Sequence, residues 1–424
     1  MRIIRIFMFI SIFTLTTIVD ADTWKVFFYM DSSDGLSDMA FKNITDMVRG
    51  KPNDNVEWLI QLHAYHKTGL RYRVTNAGLE FLEEIALTGD SKQDLIDAAS
   101  WGFAEGDADH TMLILANHGW GILDPRWNPE TEKWEVASGS LSNSCAIKRS
   151  RDWQVLHKNH RGFMFSTTPR VYLNNQDLID GLAYIKSTIL QGKLDVLAFD
   201  TCMGAMLEVA YQVAPFADYL VGVQSCSLMD GFDYQGVMAS INQGPTPRDL
   251  VTDMVQVCDA YFSQHDASGV YTYTALDLSY AAHITKALDV VVTQLLSMPE
   301  LLPIIMHAHD DAPRFCMWPM YTDLIAFCKD IGAQLNTLPS SDAITALQQS
   351  LQRLYRVSKQ CVVNRCGGHT TSGHAHGFAI YLPVDMIDEP YYTTQFVRES
   401  QWINLLQVMA GLNTEAYVET EQSA

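Results

Sequence analysis

A cysteine and a histidine, each placed just after an apolar run, are the residues of this chain best suited to covalent chemistry. Cys202 follows the run Leu194–Asp200 by two residues, and His118 follows the run 111–116 by two residues, with Gly119 directly behind it. An imidazole that accepts the proton of a thiol produces a thiolate, which can attack a carbonyl carbon. The pair therefore predicts acyl transfer by a cysteine nucleophile.

The elements around these two residues would bring them together. Short apolar runs bounded by polar residues are typical of buried strands. The apolar residues of 203–214 recur at helical spacing, so Cys202 is predicted to lie between a strand and a helix, where the helix dipole would favour the thiolate. The two signals stand 84 positions apart, so their pairing must be spatial, at the shared carboxyl edge of one parallel sheet.

Further segments extend the pattern along most of residues 22–385. They are the first strand Trp24–Asp31 with its acidic end, the nucleophile segment 200–211, the strand and loop at 219–223 and 231–234, and the late strand 376–383. This ordered set resembles the clostripain family of cysteine peptidases, distant relatives of caspases, legumain and gingipains. The resemblance implies a caspase-like fold and a cysteine endopeptidase.

The resemblance also assigns roles to residues of this chain. His118 would be the base and Cys202 the nucleophile, while the backbone N–H groups of Gly119 and Cys202 are natural oxyanion donors. Asp200 would lie in the pocket that receives Arg or Lys before the cut bond, since an unmatched buried charge is costly. Asp230 is the candidate second pocket acid, and Asp233 competes with it. A structural carboxylate that caps the following helix is the simpler interpretation of Asp200.

Strands alternate with helical patterns, which predicts an α/β fold with a mostly parallel central sheet and helices on both faces. Residues 22–240 are predicted to form the catalytic domain. Residues 241–424 are predicted to form a mainly helical C-terminal subdomain, in which the strand-like runs 271–276 and 378–382 would extend the sheet.

Residues 1–21 read as a secretory signal peptide, with Arg2 and Arg5 before an apolar run and small residues before Asp22. An uncleaved anchor is the alternative, but the run is short for a span of about 20 residues. The formal net charge is −20, which disfavours nucleic acid as a partner. We expect a periplasmic or secreted protein that has no membrane contact after signal removal, and is a monomer or a processed two-chain form.

The polar stretch 124–168 interrupts the regular order of elements, and long loops in compact domains are often functional. Because clostripain-like enzymes are often activated by cleavage after a basic residue between the two catalytic segments, Arg161 is the first candidate for such a site, followed by Arg149 and Arg151. A solvated basic loop is the alternative interpretation.

The cysteines leave two questions open. There are eight, and an exported chain could pair Cys361 with Cys366, or Cys316 with Cys328. Cys361 and Cys366, together with His369, His374 and His376, also form a set of zinc-type ligands without a recognised spacing. A zinc-dependent hydrolase built on that set is one alternative function. An inactive exported binding protein of the same fold is another.

No cofactor is expected to be required, and no metal ligands are assigned. Some clostripain-like enzymes use calcium, and the acids Asp31, Asp34 and Asp38 match a hard-cation loop only loosely. Protein or peptide substrates that contain Arg or Lys are the expected partners.

Overall fold

The computed structural model describes residues 21–32, 36–65, 68–104, 106–124, 126–128, 133–135, 163–165, 172–315, 318–383 and 386–411. The strands are β1 Trp24–Asp31, β2 Val56–Tyr65, β3 Thr68–Thr75, β4 Gly78–Ala86, β5 His110–Ala116, β6 Arg126–Asn128, β7 Lys133–Glu135, β8 Phe163–Phe165, β9 Tyr172–Leu173, β10 Leu194–Asp200, β11 Ala217–Gly222, β12 Thr272–Asp277, β13 Arg314–Phe315, β14 Trp318–Asp323, β15 Val362–Gly367 and β16 Ala379–Tyr381.

The helices, numbered in chain order, alternate with these strands in the first half of the chain. They are α1 Ser37–Gly50, α2 Ser91–Gly102, α3 Asn175–Tyr184, α4 Leu207–Val213, α5 Tyr234–Ile241, α6 Pro247–His265, α7 Ala281–Leu296, α8 Leu302–Asp311, α9 Leu324–Leu335, α10 Asp342–Cys361, α11 Gln395–Glu399 and α12 Trp402–Met409. A π-helical turn, Ile185–Ile189, continues α3.

Nine strands form the main sheet, in the order β15-β12-β11-β10-β5-β1-β2-β3-β4. The five central strands, from β11 to β2, run parallel to one another. Two antiparallel strands extend the sheet at each edge. The central strands are rich in apolar residues on both faces because helices cover both sides of the sheet, as expected for buried parallel strands. The predicted α/β fold is confirmed.

Alternate residues of each central strand enter two separate hydrophobic cores. On one face, Val26 and Ala198 pack with the apolar residues of α1, α5 and α6. On the other face, Phe27 and Phe199 pack with residues of α2, α3, α4 and α7. Side chains of successive strand residues point to opposite faces, so both cores depend on the register of the same strands.

Local signals in the sequence mark where several helices begin. The Asp90 side chain accepts hydrogen bonds from Lys92 N and Gln93 N at 3.0 and 3.1 Å, so Asp90 rather than Ser91 caps α2. Asn174 caps α3 by accepting from Asp177 N at 2.8 Å. Such caps satisfy backbone N–H groups that have no partner inside the helix.

The two late strand-like runs belong to different sheets. The run predicted at 271–276 is β12, which pairs with β11 and extends the main sheet. The run at 378–382 does not extend it, which corrects the prediction: β16 pairs with β14 in a separate three-stranded sheet, β13-β14-β16. Period and composition identify a strand, but its partner is chosen by long-range packing.

Cys361 and Cys366 are not joined in a disulfide, which corrects the pairing considered from their spacing. Both are free thiols. The Cys361 sulfur contacts the Asp277 carbonyl at 3.4 Å, whereas the Cys366 sulfur contacts the Val255 carbonyl at 3.7 Å. Cys316, the other partner considered for Cys328, lies outside the described residues.

Within the described ranges, no single helix is long and apolar enough to cross a membrane. One bent pair, Leu278–Leu296 with Pro299–Asp311 at 99°, passes the test of length and composition. Residues of both helices lie in the hydrophobic core on the α7 face of the sheet.

Candidate active site

The carboxyl ends of β5 and β10 form the edge at which the predicted catalytic residues lie. The two strands are adjacent and parallel, with Ala116 opposite Asp200. His118 and Cys202 each follow that matched pair by two residues. Both side chains are half-buried. Because their strands are adjacent and parallel, the two segments leave the sheet side by side at one edge.

Asn117 ties three strand ends together beside His118. Its backbone N–H donates to the Asp200 carbonyl at 3.3 Å, and its side-chain amide donates to the Asp31 carbonyl at 2.8 Å. The His118 backbone N–H donates to the Asn117 side-chain oxygen. A buried amide that satisfies backbone groups at the end of a sheet holds the loop that starts there.

Gly119 lies against the backbone of the cysteine segment. A Cβ atom at this position would stand 2.2 Å from the Cys202 carbonyl oxygen, so any side chain here would force the two loops apart. The close approach lets the Gly119 backbone N–H hydrogen-bond the Cys202 sulfur. The glycine after His118 is thus a steric requirement of this contact.

Three donors converge on the Cys202 sulfur. The Cys226 side chain hydrogen-bonds it, the Ser227 backbone N–H donates to it at 3.3 Å, and the Gly119 N–H is the third. The hydrogen bond from Cys226 is the largest cause of the lowered pKa of the Cys202 thiol, while burial and the Asp200 charge oppose it. Donors that stabilise the charged form favour the reactive thiolate.

The helix after Cys202 begins later than predicted, at Leu207, with Met206 in an extended conformation before it. The dipole of this seven-residue helix therefore does not act on the thiol at close range, because such effects fade within about one turn. Met203 instead adopts a left-handed conformation with φ of 57°, and its N–H donates to the Ser225 carbonyl at 2.8 Å. The lowered pKa of the thiol is therefore due to the hydrogen bonds from Cys226, Ser227 N and Gly119 N.

Asp200 is buried directly behind the cysteine. Its carboxylate accepts from the Tyr234 hydroxyl at 2.7 Å, from Phe232 N at 3.4 Å and from the Ser227 hydroxyl at 3.4 Å. Burial raises the pKa of Asp200 to about 6, against these hydrogen bonds. A Cβ on Gly231 would lie 2.3 Å from its Oδ2, so the following loop closes over the carboxylate.

Asp230 and Asp233, the other acids predicted near the pocket, have different surroundings. The Asp230 carboxylate accepts from the Tyr261 hydroxyl at 2.7 Å and lies 3.9 Å from the Lys42 ammonium. Its side chain is 39% exposed, so a solute can reach it. Asp233 caps α5 by accepting from Gly236 N at 3.1 Å, which commits that carboxylate to a helix start.

The late cysteine and histidine set does not assemble into one centre. The His376 imidazole contacts Asp323 at 3.0 Å, and the His374 ring contacts the Thr370 carbonyl at 3.0 Å. Among the residues that the structure describes, no group of three or more His, Cys, Asp or Glu side chains could hold a metal ion. Of the loosely calcium-like acids, Asp34 lies outside those residues, as do Arg149, Arg151 and Arg161.

Cys226, Ser227 and Asn117 are the contributors at this edge that the motifs did not reveal. Cys226 and Ser227 follow the end of β11, a strand adjacent to β10. The available signal was their position just past an apolar strand, since neighbouring parallel strands end at the same edge. Nothing in the local pattern indicates that they turn back onto Cys202.

A thiol held by backbone N–H groups at the carboxyl edge of a mainly parallel central sheet, with a His-Gly turn on the adjoining strand, is the arrangement of caspase-like cysteine peptidases. The model of the clostripain family matches residues 155–411. The chain belongs to the clostripain family, and the protein is a cysteine peptidase. The match includes Cys202 and begins after His118.

Solved structures share the fold at low sequence identity. A secreted C11 cysteine protease from Bacteroides thetaiotaomicron, in complex with an irreversible peptide inhibitor, aligns with a TM-score of 0.63 at 14% identity, over 90% of this chain and 99% of that chain. A C11 protease from Parabacteroides distasonis, solved as an inactive zymogen, aligns with a TM-score of 0.60 at 15% identity, over 89% and 98% of the two chains. No curated protein sequence matches.

Proposed function

We propose that the protein is an exported endopeptidase that cleaves after Arg or Lys, with Cys202 as nucleophile and His118 as base. The observation that carries this proposal is the set of three donors around the Cys202 sulfur, which together lower the pKa of a thiol that burial alone would raise. The matched register of β5 and β10 supports His118 as its partner.

In the proposed reaction, His118 accepts the Cys202 proton and the thiolate attacks the carbonyl carbon of the scissile bond. The substrate carbonyl oxygen then becomes an oxyanion, and its carbon is now bonded to the Cys202 sulfur. The Gly119 N–H, which hydrogen-bonds the resting sulfur, is near enough to donate to that oxygen, together with the Cys202 N–H. His118 returns the proton to the leaving amine, and water hydrolyses the acyl-enzyme.

Replacement of either dyad residue tests this mechanism. We expect Cys202→Ala and His118→Ala to lower kcat/KM on an Arg-containing fluorogenic peptide on the order of 10⁴-fold, because the thiolate and its proton carrier act as one unit. Iodoacetamide should abolish the wild-type activity. Cys366→Ser, at another half-buried thiol, is the matched control and should retain activity. Full activity in Cys202→Ala would refute the proposal.

If no peptide is cleaved by folded, processed wild-type protein, the protein has lost turnover and the inactive binding protein is the correct alternative. A zinc-dependent hydrolase predicts the opposite response to mutation: activity survives Cys202→Ala and is lost with a chelator. The scattered contacts of the late cysteine and histidine residues give no support to that second alternative.

For the preference for Arg or Lys, the proposal rests on negative charge around the nucleophile. Asp200 is buried behind Cys202, and Asp230 is partly exposed nearby, with Lys42 as a resident cation at 3.9 Å. We expect Asp200→Ala to abolish cleavage after Arg and Lys while Cys202 still reacts with a small alkylating agent. Unchanged cleavage after basic residues in that variant would exclude Asp200 as the selector.

Export and activation complete the proposal. The apolar run in residues 1–21 supports a cleaved signal, and sequencing should find Asp22 as the N-terminus of exported protein. A second new N-terminus should follow Arg161, or otherwise Arg149 or Arg151. It should be absent in Cys202→Ala if the enzyme processes itself, whereas identical processing in both proteins would exclude self-cleavage.

A further inference from the structure

We propose that Cys202 and Cys226 form a redox site, in which small disulfides oxidise the two thiols to a Cys202–Cys226 disulfide that reversibly inactivates the enzyme. The inactivation rests on the proposed role of Cys202 as nucleophile, whereas formation of the bond does not. The modifying reagents belong to the class of low-molecular-weight disulfides, such as oxidised glutathione.

Backbone hydrogen bonds place the two cysteines opposite each other. The Met203 N–H donates to the Ser225 carbonyl at 2.8 Å, and the Ala205 N–H donates to the Val223 carbonyl at 2.9 Å. These bonds follow an antiparallel register, because one residue number rises while the other falls by the same amount. One position further along, Cys202 faces Cys226.

Directly opposed residues in antiparallel segments have Cα atoms about 4.5–5.5 Å apart. Disulfides in proteins bridge Cα atoms about 4.4–6.8 Å apart. Met203 beside Cys202 has a left-handed conformation with φ of 57°, so the regular spacing is only a guide here, and the contact between the two side chains is the direct evidence that they are close. The side chains already meet, because the Cys226 thiol hydrogen-bonds the Cys202 sulfur.

Among the described cysteines, Cys202 is the one prepared to attack a disulfide. The attacking species is a thiolate, and hydrogen bonds from Cys226, Ser227 N and Gly119 N lower the pKa of Cys202. By contrast, burial raises the pKa of Cys328, Cys361 and Cys366 to about 12. Burial also raises the pKa of the fully buried Cys258. Cys202 and Cys226 are only partly buried, so a small disulfide can reach them.

The reaction is balanced by the disulfide reagent. The Cys202 thiolate attacks one sulfur of oxidised glutathione, forms a mixed disulfide and expels one glutathione thiolate. Cys226 then loses its proton and attacks the Cys202 sulfur, which forms the internal bond and expels the second glutathione thiolate. The two protein thiols are oxidised by two electrons, and one oxidised glutathione is reduced to two thiols. In the disulfide, the Cys202 sulfur is no longer a free thiolate and cannot attack a peptide bond.

The test treats the folded, full-length enzyme with oxidised glutathione, removes the reagent, and measures both peptidase activity and the disulfide. Both cysteines lie in one tryptic peptide, residues 194–248, and Glu208 is the only glutamate within it. Cleavage of that peptide after Glu208 should leave two fragments joined by the Cys202–Cys226 bond, which separate on reduction. Wild-type activity should fall at least tenfold and return with dithiothreitol.

Cys226→Ser is the decisive variant, and Cys366→Ser is the matched control. In Cys226→Ser the Cys202 fragment should carry one glutathione and no internal bond, while Cys366→Ser should behave as wild type. Wild type that carries glutathione on Cys202 without joined fragments would overturn the proposal. Joined fragments in a protein that has no peptidase activity under reducing conditions would support the redox site and refute the proposed function instead.

Discussion

Asp200 is a buried carboxylate whose charge is stabilised by hydrogen bonds from nearby residues rather than by a cation in contact with it. The Tyr234 hydroxyl and the Phe232 N–H both donate to its Oδ2, and Ser227 links it to the cysteine by donating its hydroxyl to Asp200 and its N–H to the Cys202 sulfur. The buried carboxylate and the cysteine sulfur are therefore linked through one serine.

The raised pKa of Asp200 predicts a pH-dependent preference. A carboxyl group with a pKa of about 6 is ionised above pH 6 and neutral below it. We expect the ratio of kcat/KM for an Arg peptide to that for its neutral citrulline analogue to fall about tenfold, or about 1.4 kcal/mol, from pH 7.5 to pH 5. The ratio cancels titration of the catalytic dyad, which acts on both peptides.

Asp124→Asn is the matched control for this measurement, because burial raises the pKa of Asp124 to about 6 as well. Its carboxylate accepts hydrogen bonds from the backbone and side-chain N–H groups of Asn175 at the start of α3, and it makes none with Asp200 or Cys202 among the hydrogen bonds described. The control should keep the pH-dependent ratio, and Asp200→Asn should give a low ratio at every pH. A ratio in wild type that is constant from pH 5 to pH 7.5 would contradict Asp200 as the selector.

Among the secondary-structure elements, α4 is a short helix that is stabilised by packing against its neighbours. It follows the nucleophile loop and packs between β16 and α7. Its residue Glu208 is completely buried; Oε1 accepts from Tyr381 N at 2.8 Å and from the Tyr391 hydroxyl at 3.2 Å. Burial raises the pKa of Glu208 to about 7 from an ordinary value of 4.5.

This burial predicts that Glu208→Gln stabilises the protein at alkaline pH. Below pH 4.5 the carboxyl is protonated in both folded and unfolded chains, so ionisation makes no difference. As the pH rises to 7, the unfolded chain releases a proton that the folded chain retains, and wild type loses stability. The advantage of Gln should therefore rise by about 3 kcal/mol between pH 4.5 and pH 8.

Urea unfolding at the two pH values measures this difference. Gln keeps the acceptor oxygen that the Tyr381 N–H needs, so the variant should fold. Glu300→Gln, at an exposed glutamate, is the control and should show no such trend. If the difference in the free energy of unfolding between variant and wild type is the same at both pH values, ionisation of Glu208 does not destabilise the folded protein.

For the molecule as a whole, the separate three-stranded sheet contacts, from outside the main sheet, the loops that contain His118 and Cys226. Tyr321 on β14 donates its hydroxyl to the Trp120 carbonyl, in the loop that begins with His118. Gln224, beside the Cys226 segment, donates to Asp323 at the end of β14 at 2.9 Å. The same strand thus contacts both loops that meet at Cys202.

Tyr321→Phe should loosen the histidine loop without unfolding the protein. The loss of one hydrogen bond costs about 1 kcal/mol, which would lower kcat about fivefold if it is expressed in the position of His118. Tyr381→Phe is the control in the same sheet, because its hydroxyl contacts Asp388 instead, at 2.9 Å. Equal kcat values for the two variants would show that the Trp120 contact does not position the loop.

Local patterns were sufficient for much of this architecture. The mainly apolar runs at Trp24–Asp31 and Leu194–Asp200 predicted strands because strands buried on both faces are rich in apolar residues without strict alternation. Polar residues such as Asp90 and Asn174 stand before the helical patterns of α2 and α3, and their side chains cap free N–H groups in the structure. The helix start after Cys202 was predicted too early, because apolar spacing at 203–206 is equally satisfied by an extended buried segment.

The order of residues along the chain was enough to predict its chemistry. A His-Gly pair and an Asp-x-Cys triplet, each at the end of an apolar strand, indicated a base and a nucleophile at one edge of a parallel sheet. What surrounds the sulfur was decided by folding alone. Cys226 faces Cys202 because residues 203 and 205 pair with residues 225 and 223, and burial among distant segments raises the pKa of Glu208 to about 7. Such contacts depend on long-range register and burial, which residue types and spacing along the chain do not specify.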